Sequence, residues 1–380
     1  AAIPASVFNT GFAENVSLSE AQSPVITEAA GGLESAYVQW TNTAQADGYN
    51  VYVKEHEVMI YYIVDTAYMR EVTFASILFA FFITCLSIYW GQNALPRDQG
   101  RKFAVNGAKS AGKPRGAGII FILTFILSCV LFIPLNNELL IYLILVLAAM
   151  ISGYLDDSSA SPWGELKKGL IDFAIAIMAA VTYLNYNSNN IWIAFANAEV
   201  TIPKVVFGIL IVILVWASIN VTNCSDGVDG LCGMLSCITL FAAYVLFTHY
   251  VCDTYFRDTI LIMIVAILAY LWFNASPSKL LMGDAGSRAI GVFIALTFLK
   301  LERPLLFLPL AIVLILDGGL GLLKVSLMRF LKIKILKNVR TPLHDHVRKN
   351  LGWSDAQTVF RFSIIQMVIA IAVAYFLIIS

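Results

Sequence analysis

The chain has 380 residues, of which 59% are hydrophobic and 13% charged, with 25 Lys and Arg balancing 25 Asp and Glu. Soluble domains carry roughly 25% charged residues, so this composition excludes a soluble enzyme and assigns the chain to a membrane. Without a net positive charge, no nucleic-acid partner is expected.

Residues 1–58 differ in kind from the rest: they are polar and acidic, and "SAYVQWT" and "GYNVYVK" alternate as half-buried strands do. The stretch "ESAYVQWTNTAQADGYNVYVK" resembles a fragment of a fibronectin-type β-sandwich. Composition changes sharply at Val58-Met59, and no basic region followed by an apolar stretch marks a signal peptide. Residues 1–58 are therefore expected to be a fused or appended β-rich segment, and 59–380 an integral membrane domain.

A hydrocarbon core of about 30 Å takes roughly 20 apolar residues per helix. On that measure ten spans follow in order: Phe74–Trp90, Gly118–Leu135, Leu139–Tyr154, Gly169–Tyr186, Val205–Val221, Leu231–Tyr250, Thr259–Asn274, Ala289–Leu299, Leu305–Leu323 and Val359–Ile379. The expected fold class is an all-α polytopic membrane protein of about ten transmembrane helices, its eighth span short and its ninth breaking at "DGGLG". Lysine and arginine accumulate on cytoplasmic loops, and most of those outside the spans fall after spans 1, 3, 5, 7 and 9. Those loops are expected in the cytoplasm and both termini outside. The six cysteines lie mostly within spans, have no CxxC spacing, and read as packing residues.

The unusual polar stretches all fall on the loops assigned to the cytoplasm. They are "KFAVNGAKSAGKPRGAG" after span 1, "GYLDDSSASPWGELKK" after span 3 and "NVTNCSDGVDGLCG" after span 5. "FNASPSKLLMGDAGSR" follows span 7 and "RTPLHDHVRKNLGW" span 9. They gather the carboxylates of Asp156, Asp157, Asp226, Asp229 and Asp284 with a set of bases that includes Lys109, Lys113, Arg115, Lys168, Arg340 and Arg348. Acids beside an oil phase are costly, about 2.5–3.5 kcal/mol each on insertion scales, and several without a cation repel each other. A hard divalent ion takes one or two carboxylates and fills its shell with phosphate oxygens, while the bases hold further phosphate charge. A magnesium and diphosphate site satisfies both sets. Each stretch alone has a plainer reading: Asp156-Asp157 as an interfacial cap, "SDGVDG" as a turn, the histidines as solvated residues, and "LMRFLKIKILK" as a segment on anionic lipid.

The ordered set "GYLDD", "NVTNCSDGVDGL", "FNASPSKLLMGDAGS" and "PLHDH…GW" closely resembles the polyprenyl-phosphate N-acetylhexosamine-1-phosphate transferases, most of all the branch that uses UDP-MurNAc-pentapeptide. The resemblance runs from about Met59 to the C-terminus. It implies transfer of a phospho-sugar from a UDP-sugar to undecaprenyl phosphate in the bilayer, with release of UMP, Mg²⁺ as cofactor, and a homodimer. By motif it implies that Asp156 is the base or positioner for the lipid phosphate, with Asp157 its acidic neighbour. It makes Asp284 the magnesium aspartate and Asn220, Asn223, Asp226 and Asp229 the nucleotide and metal segment. Asn274 matches the asparagine ending span 7, and His344 and His346 match the outer members of a phosphate-holding histidine triplet. Two departures stand out: Asp345 replaces the middle histidine and is followed by the basic "VRKNLGW", and Lys113 and Arg115 stand where threonines are common. A paralogue acting on another UDP-HexNAc, such as UDP-GlcNAc, is the first alternative. A membrane aspartyl protease is disfavoured by Met282 at a position where glycine is required, and a transporter by acids gathered at one surface rather than at the midplane.

Overall fold

The structure is a computed structural model and describes residues 26–32, 35–40, 50–55, 57–62, 66–100, 110–159, 161, 163–196, 198–250 and 252–379. The chain divides into two compact units, Ala1–Phe74 and Ala75–Ser380. The first contains two antiparallel hairpins: β1 (Ile26–Gly32) pairs with β2 (Ser35–Trp40), and β3 (Asn50–Glu55) with β4 (Glu57–Tyr62). Both expected strands form, as β2 and β3, each paired with its immediate neighbour in sequence. A short loop closes at a lower entropic cost than a long one. β4 carries regular structure across Val58-Met59, where Met59 pairs with Val53.

The long helices that follow are α1 (Thr66–Gly91), α2 (Gly118–Phe132), α3 (Asn137–Asp157), α4 (Glu165–Tyr186), α5 (Lys204–Cys224), α6 (Leu231–His249), α7 (Thr254–Asn274) and α8 (Gly283–Lys300). A broken pair comes next, α9 (Pro304–Leu310) and α10 (Ile312–Leu331), then the short α11 (Leu343–Asn350) and finally α12 (Asp355–Ile379). A small hairpin of β5 (Asn190–Ile193) and β6 (Ala198–Thr201) separates α4 from α5. Starts are marked by local chemistry: Asn136 Oδ1 accepts the Leu139 N–H at 2.7 Å before α3, and Asp253 Oδ1 accepts that of Phe256 at 3.1 Å before α7.

Each of the ten expected segments coincides with a helix. Among the described residues, seven helices are long and apolar enough to cross a membrane, and an eighth if α9 and α10 count as one broken span. The other two fall short for different reasons. Helix α2 has 15 residues, and α8 carries Asp284, Arg288 and Lys300 within its 18. The protein is a mostly helical, multi-pass membrane protein.

The break in the ninth segment lies at Ala311, where the axis turns by 71°, while the "DGG" of the expected break continues inside α10 as a π-turn, Ile315–Gly319. The bend is held from a distance. Gln366 of α12, wholly buried, accepts the Val313 N–H at 2.9 Å and donates to Leu310 O at 2.5 Å, and Thr239 of α6 donates to the same oxygen at 2.9 Å. Backbone groups freed inside a membrane must find such partners.

Helix α8 is the axis of the bundle, buried from Ala285 to Leu299 and packed by α3, α5 and α2. In lipid, helices associate through close packing of small residues rather than through apolar burial. Gly153 of α3 shows how close: a Cβ there would lie 2.3 Å from the backbone of Asp284. Polar ties cross the bundle at two depths. Asp172 of α4 forms a buried ion pair with Arg288 of α8, one bond being Nε to Oδ1 at 3.2 Å. At the far end, Lys300 pairs with Glu138 at 3.0 Å, and Glu138 also accepts from Tyr142 at 2.8 Å and Asn187 at 2.5 Å.

A Cβ at Gly153 meets backbone that cannot move aside. Gly153→Val is therefore expected to destabilise by at least the 1–3 kcal/mol typical of overpacking, read as a lower melting temperature of the full chain in detergent. Gly169→Ala, where nothing lies within 4 Å, should melt like the parent; equal melting of both variants would refute this packing.

Candidate active site

The site is assembled at the ends of α3, α5 and α7 and the starts of α4, α6 and α8. Its foundation is the start of α8. Gly283 adopts φ 72°, and a Cβ there would lie 2.2 Å from Asp157 Oδ2, so this glycine lets Asp157 reach beneath the helix. Asp157 Oδ2 accepts the Ala285 N–H at 3.1 Å, satisfying a first-turn donor that has no partner within its own helix, and Oδ1 accepts Arg115 Nε at 2.8 Å. Its carboxylate is wholly buried.

Arg115 joins three acids. Besides Asp157 it holds Asp98 through Nη1 at 3.1 Å, and its Nη2 lies 3.6 Å from Asp284. Its backbone is fixed to the loop that leads into α8. Leu281 N–H donates to Pro114 O at 2.8 Å, Ala117 N–H to Leu281 O at 3.0 Å, and Gly118 N–H to Met282 O at 3.0 Å. Burial works to lower the guanidinium's pKa, but Asp157, Asp284 and Asp98 outweigh it and the pKa rises. Asp98 is held below the usual carboxylate range: burial opposes this, and Ser110 at 2.6 Å, the Gly100 N–H at 3.0 Å and Arg115 prevail.

Asp156 points to the other side of the same acid group. Its Oδ1 accepts the Trp163 N–H at 2.7 Å and its Oδ2 pairs with Lys168, whose Nζ also reaches Asp284 Oδ2 at 3.1 Å. Among the described residues, four carboxylates thus surround two cations, an excess of two negative charges. Asp284, at 13% exposed, is the most open of the four acids.

A second group adjoins it through the 113–118 loop. Lys113 donates to Ser278 Oγ at 2.9 Å and lies 3.6 Å from Asp229, which accepts the Ser278 N–H at 3.0 Å. Asn274 is spent on backbone: it accepts the Gly230 N–H at 2.7 Å and donates to Leu280 O at 2.8 Å, tying the "DGVDG" loop to the "MGD" loop. Asn223 donates to Ser287 Oγ at 3.1 Å, linking α5 to α8. Asn220 bonds back to Trp216 O within its own helix. Asp226 is half-buried and begins the turn against which the third group packs.

That group is built on α11. Asp317, in the π-turn of α10, takes both the His344 N–H at 2.7 Å and His344 Nδ1 at 2.8 Å, so the ring's Nε2 faces Gly227, where a Cβ would lie 2.2 Å from it. His346 Nδ1 accepts the Arg340 N–H at 3.3 Å. Asp345 pairs with Arg348 at 2.7 Å, and Arg348 continues to Asp355 at 2.9 Å and Gly227 O at 3.4 Å. Asp345 and the basic stretch that follows it are thus joined through Arg348.

Lys109 lies outside the described residues. Of the remaining candidates, the structure joins Asp156, Asp157, Asp284 and Lys168 directly, and Lys113, Asp229 and Asn274 beside them. His344, His346 and Arg340 form the α11 group, and Asn220, one turn before Asn223 on α5, is bonded within its own helix. Sequence reading counted Arg115 and Arg348 among the bases for phosphate charge and assigned no role to Asp98 or Asp317. Asp317 had a usable signal, an acid inside an apolar span; Asp98, a lone acid in a polar loop, had none. Among the described residues, no three His, Cys, Asp or Glu side chains converge on one metal position.

Residues 139–302 match glycosyl transferase family 4. The chain is 39% identical over 295 residues to the phospho-N-acetylmuramoyl-pentapeptide-transferase of Treponema pallidum (strain Nichols), covering 73% of this chain and 81% of that one. It is 29% identical over 324 residues to the protein of the same name from Dictyoglomus turgidum, covering 80% and 97%. With that of Wolbachia sp. subsp. Drosophila simulans it shares 27% over 327 residues, covering 82% and 98%.

Removing the shared cation strands both acids. Arg348→Met should cost about 3 kcal/mol of stability, and Asp345→Asn, which leaves Arg348 paired with Asp355, distinctly less. Thermal unfolding in detergent checks both, and an unaltered Arg348→Met variant would refute the pairing.

Proposed function

The chain belongs to the phospho-N-acetylmuramoyl-pentapeptide-transferase family, and from that membership we infer that it transfers phospho-MurNAc-pentapeptide from UDP-MurNAc-pentapeptide to undecaprenyl phosphate, yielding lipid I and UMP for peptidoglycan synthesis. The observation that carries the reading is the corner formed by Asp156, Asp157 and Asp284 with Lys168 and Arg115 at the helix ends. A polyprenyl phosphate presents its reactive oxygen at the headgroup plane, so its catalyst belongs at helix ends rather than at mid-bilayer. The site is proposed to face the cytoplasm of a bacterial plasma membrane, in a ten-span arrangement with both termini outside and with residues 1–58 an appended segment. A homodimer is part of the same proposal.

Mg²⁺ fits the residues present. The donors are all oxygens and the described residues hold an excess of two negative charges, while the absence of a three-residue cage among them suits an ion that binds one or two carboxylates and completes its shell with water and phosphate. Asp284, the most exposed acid, would hold it, with Asp226 as the second carboxylate. When bound, the ion neutralises the diphosphate and stabilises the departing UMP.

The chain's own residues do the rest. Asp156, fixed by the Trp163 N–H and Lys168, orients the lipid phosphate, one oxygen of which attacks the sugar-bonded phosphorus as the bond to UMP breaks. Both oxygens of Asp156 and of Asp157 are already engaged, which supports direct attack by the acceptor over a phospho-aspartate intermediate. His344, oriented by Asp317 and assisted by His346, is proposed to receive phosphate charge beside the Asp226 turn, with Asn220, Asn223, Asp229, Lys109, Lys113 and Arg340 lining the nucleotide side.

Purified full chain with undecaprenyl phosphate and Mg²⁺ should release UMP from UDP-MurNAc-pentapeptide and not from UDP-GlcNAc; the reverse preference would assign the paralogous activity, and no release from either would overturn the transferase. Asp284→Asn should lower the rate by about 10²-fold or more with unchanged melting, and near-normal turnover would remove Asp284 from the metal position.

A further inference from the structure

We propose that Arg115 is a phosphate-binding residue of this site, braced by Asp98 and Asp157 so that Nη2, its remaining nitrogen, is offered to a phosphate oxygen beside Asp284. The inference rests on the transferase reading for its setting, but its argument is geometric.

A guanidinium is a rigid fork of five N–H donors. Two of its nitrogens are committed: Nε to Asp157 at 2.8 Å and Nη1 to Asp98 at 3.1 Å. Both acids are deeply buried, with side chains 0% and 2% exposed, and each is fixed in turn, Asp157 by the start of α8 and Asp98 by Ser110 and the Gly100 N–H. The fork therefore cannot rotate freely. Its third nitrogen stops 3.6 Å from Asp284, beyond hydrogen-bond reach, on a side chain 24% exposed and beside the most open acid of the cluster.

Nη2 carries two N–H groups, and Asp284 at 3.6 Å is an ion-pair partner of that edge without taking either in a short hydrogen bond. A tetrahedral phosphate oxygen arriving at Asp284 would find the donor already oriented, and charge-assisted bonds from a prepared arginine are among the strong ones. The anion has two sources in the proposed reaction, the diphosphate of the nucleotide and the phosphate of the polyprenyl acceptor.

The test uses the full chain in detergent with Mg²⁺, measuring UDP and uridine binding by calorimetry and the KM for undecaprenyl phosphate by UMP release. Arg115→Gln should weaken UDP roughly tenfold or more while uridine stays within about twofold, assigning the contact to the nucleotide. UDP unchanged with an acceptor KM raised roughly tenfold assigns it to the lipid phosphate. If neither moves, Arg115 is a structural ion pair and the proposal fails. Arg115→Lys keeps the charge without the fork and should remain several-fold impaired; full recovery would make the effect one of charge at a distance and overturn direct contact. Where Arg115→Gln does not fold, Asp98→Asn replaces it, expected to weaken the same binding step several-fold, and a value like the parent's overturns the proposal. A parent protein that binds UDP yet releases no UMP would refute the transferase reading alone.

Discussion

Four carboxylates sharing one half-buried corner are the constraint from which the rest of this architecture follows. In a low-dielectric setting their mutual repulsion and lost hydration would force protonation or unfolding unless cations stand among them. Arg115 and Lys168 supply that charge from two different elements, and the backbone is shaped to let them. The 113–118 loop is bonded along the approach to α8, Gly283 opens room for Asp157, and Gly153 lets α3 touch the turn that carries Asp284. The excess of two negative charges among the described residues is a feature a divalent ion and an anionic substrate can use together.

Much of this was legible before any coordinate. Apolar length located every long helix, because a span has to satisfy its own backbone in lipid, and the bias of Lys and Arg grouped the five polar stretches that the fold gathers at one end. What escaped the sequence depends on partners distant along the chain. The bend at Ala311 is decided by Gln366, 56 positions away from Leu310, so the glycines of "DGGLG" were a reasonable but wrong place to look. Asn274 reads as a ligand by motif, yet its amide is occupied by two loops. Arg115 was legible as one of several bases for phosphate charge, but nothing local reveals that three acids converge on it. In the N-terminal unit, alternation identified strands but not their partners, which the shortest loops chose.

In the α11 region Asp345 does not stand alone against the "DGVDG" turn: three residues later Arg348 pairs with it, and also holds the Gly227 carbonyl and Asp355. His344 is oriented separately, by its partner Asp317.

The two ion pairs between α4 and α8 repeat at the same spacing with opposite sense: Lys168 faces Asp284, and four residues on in each helix Asp172 faces Arg288. Both helices begin at the same end of the bundle, so a slip of one turn, about 5.4 Å, would set lysine against arginine in one direction and aspartate against aspartate in the other. The pairs act as a key that fixes the register of these helices.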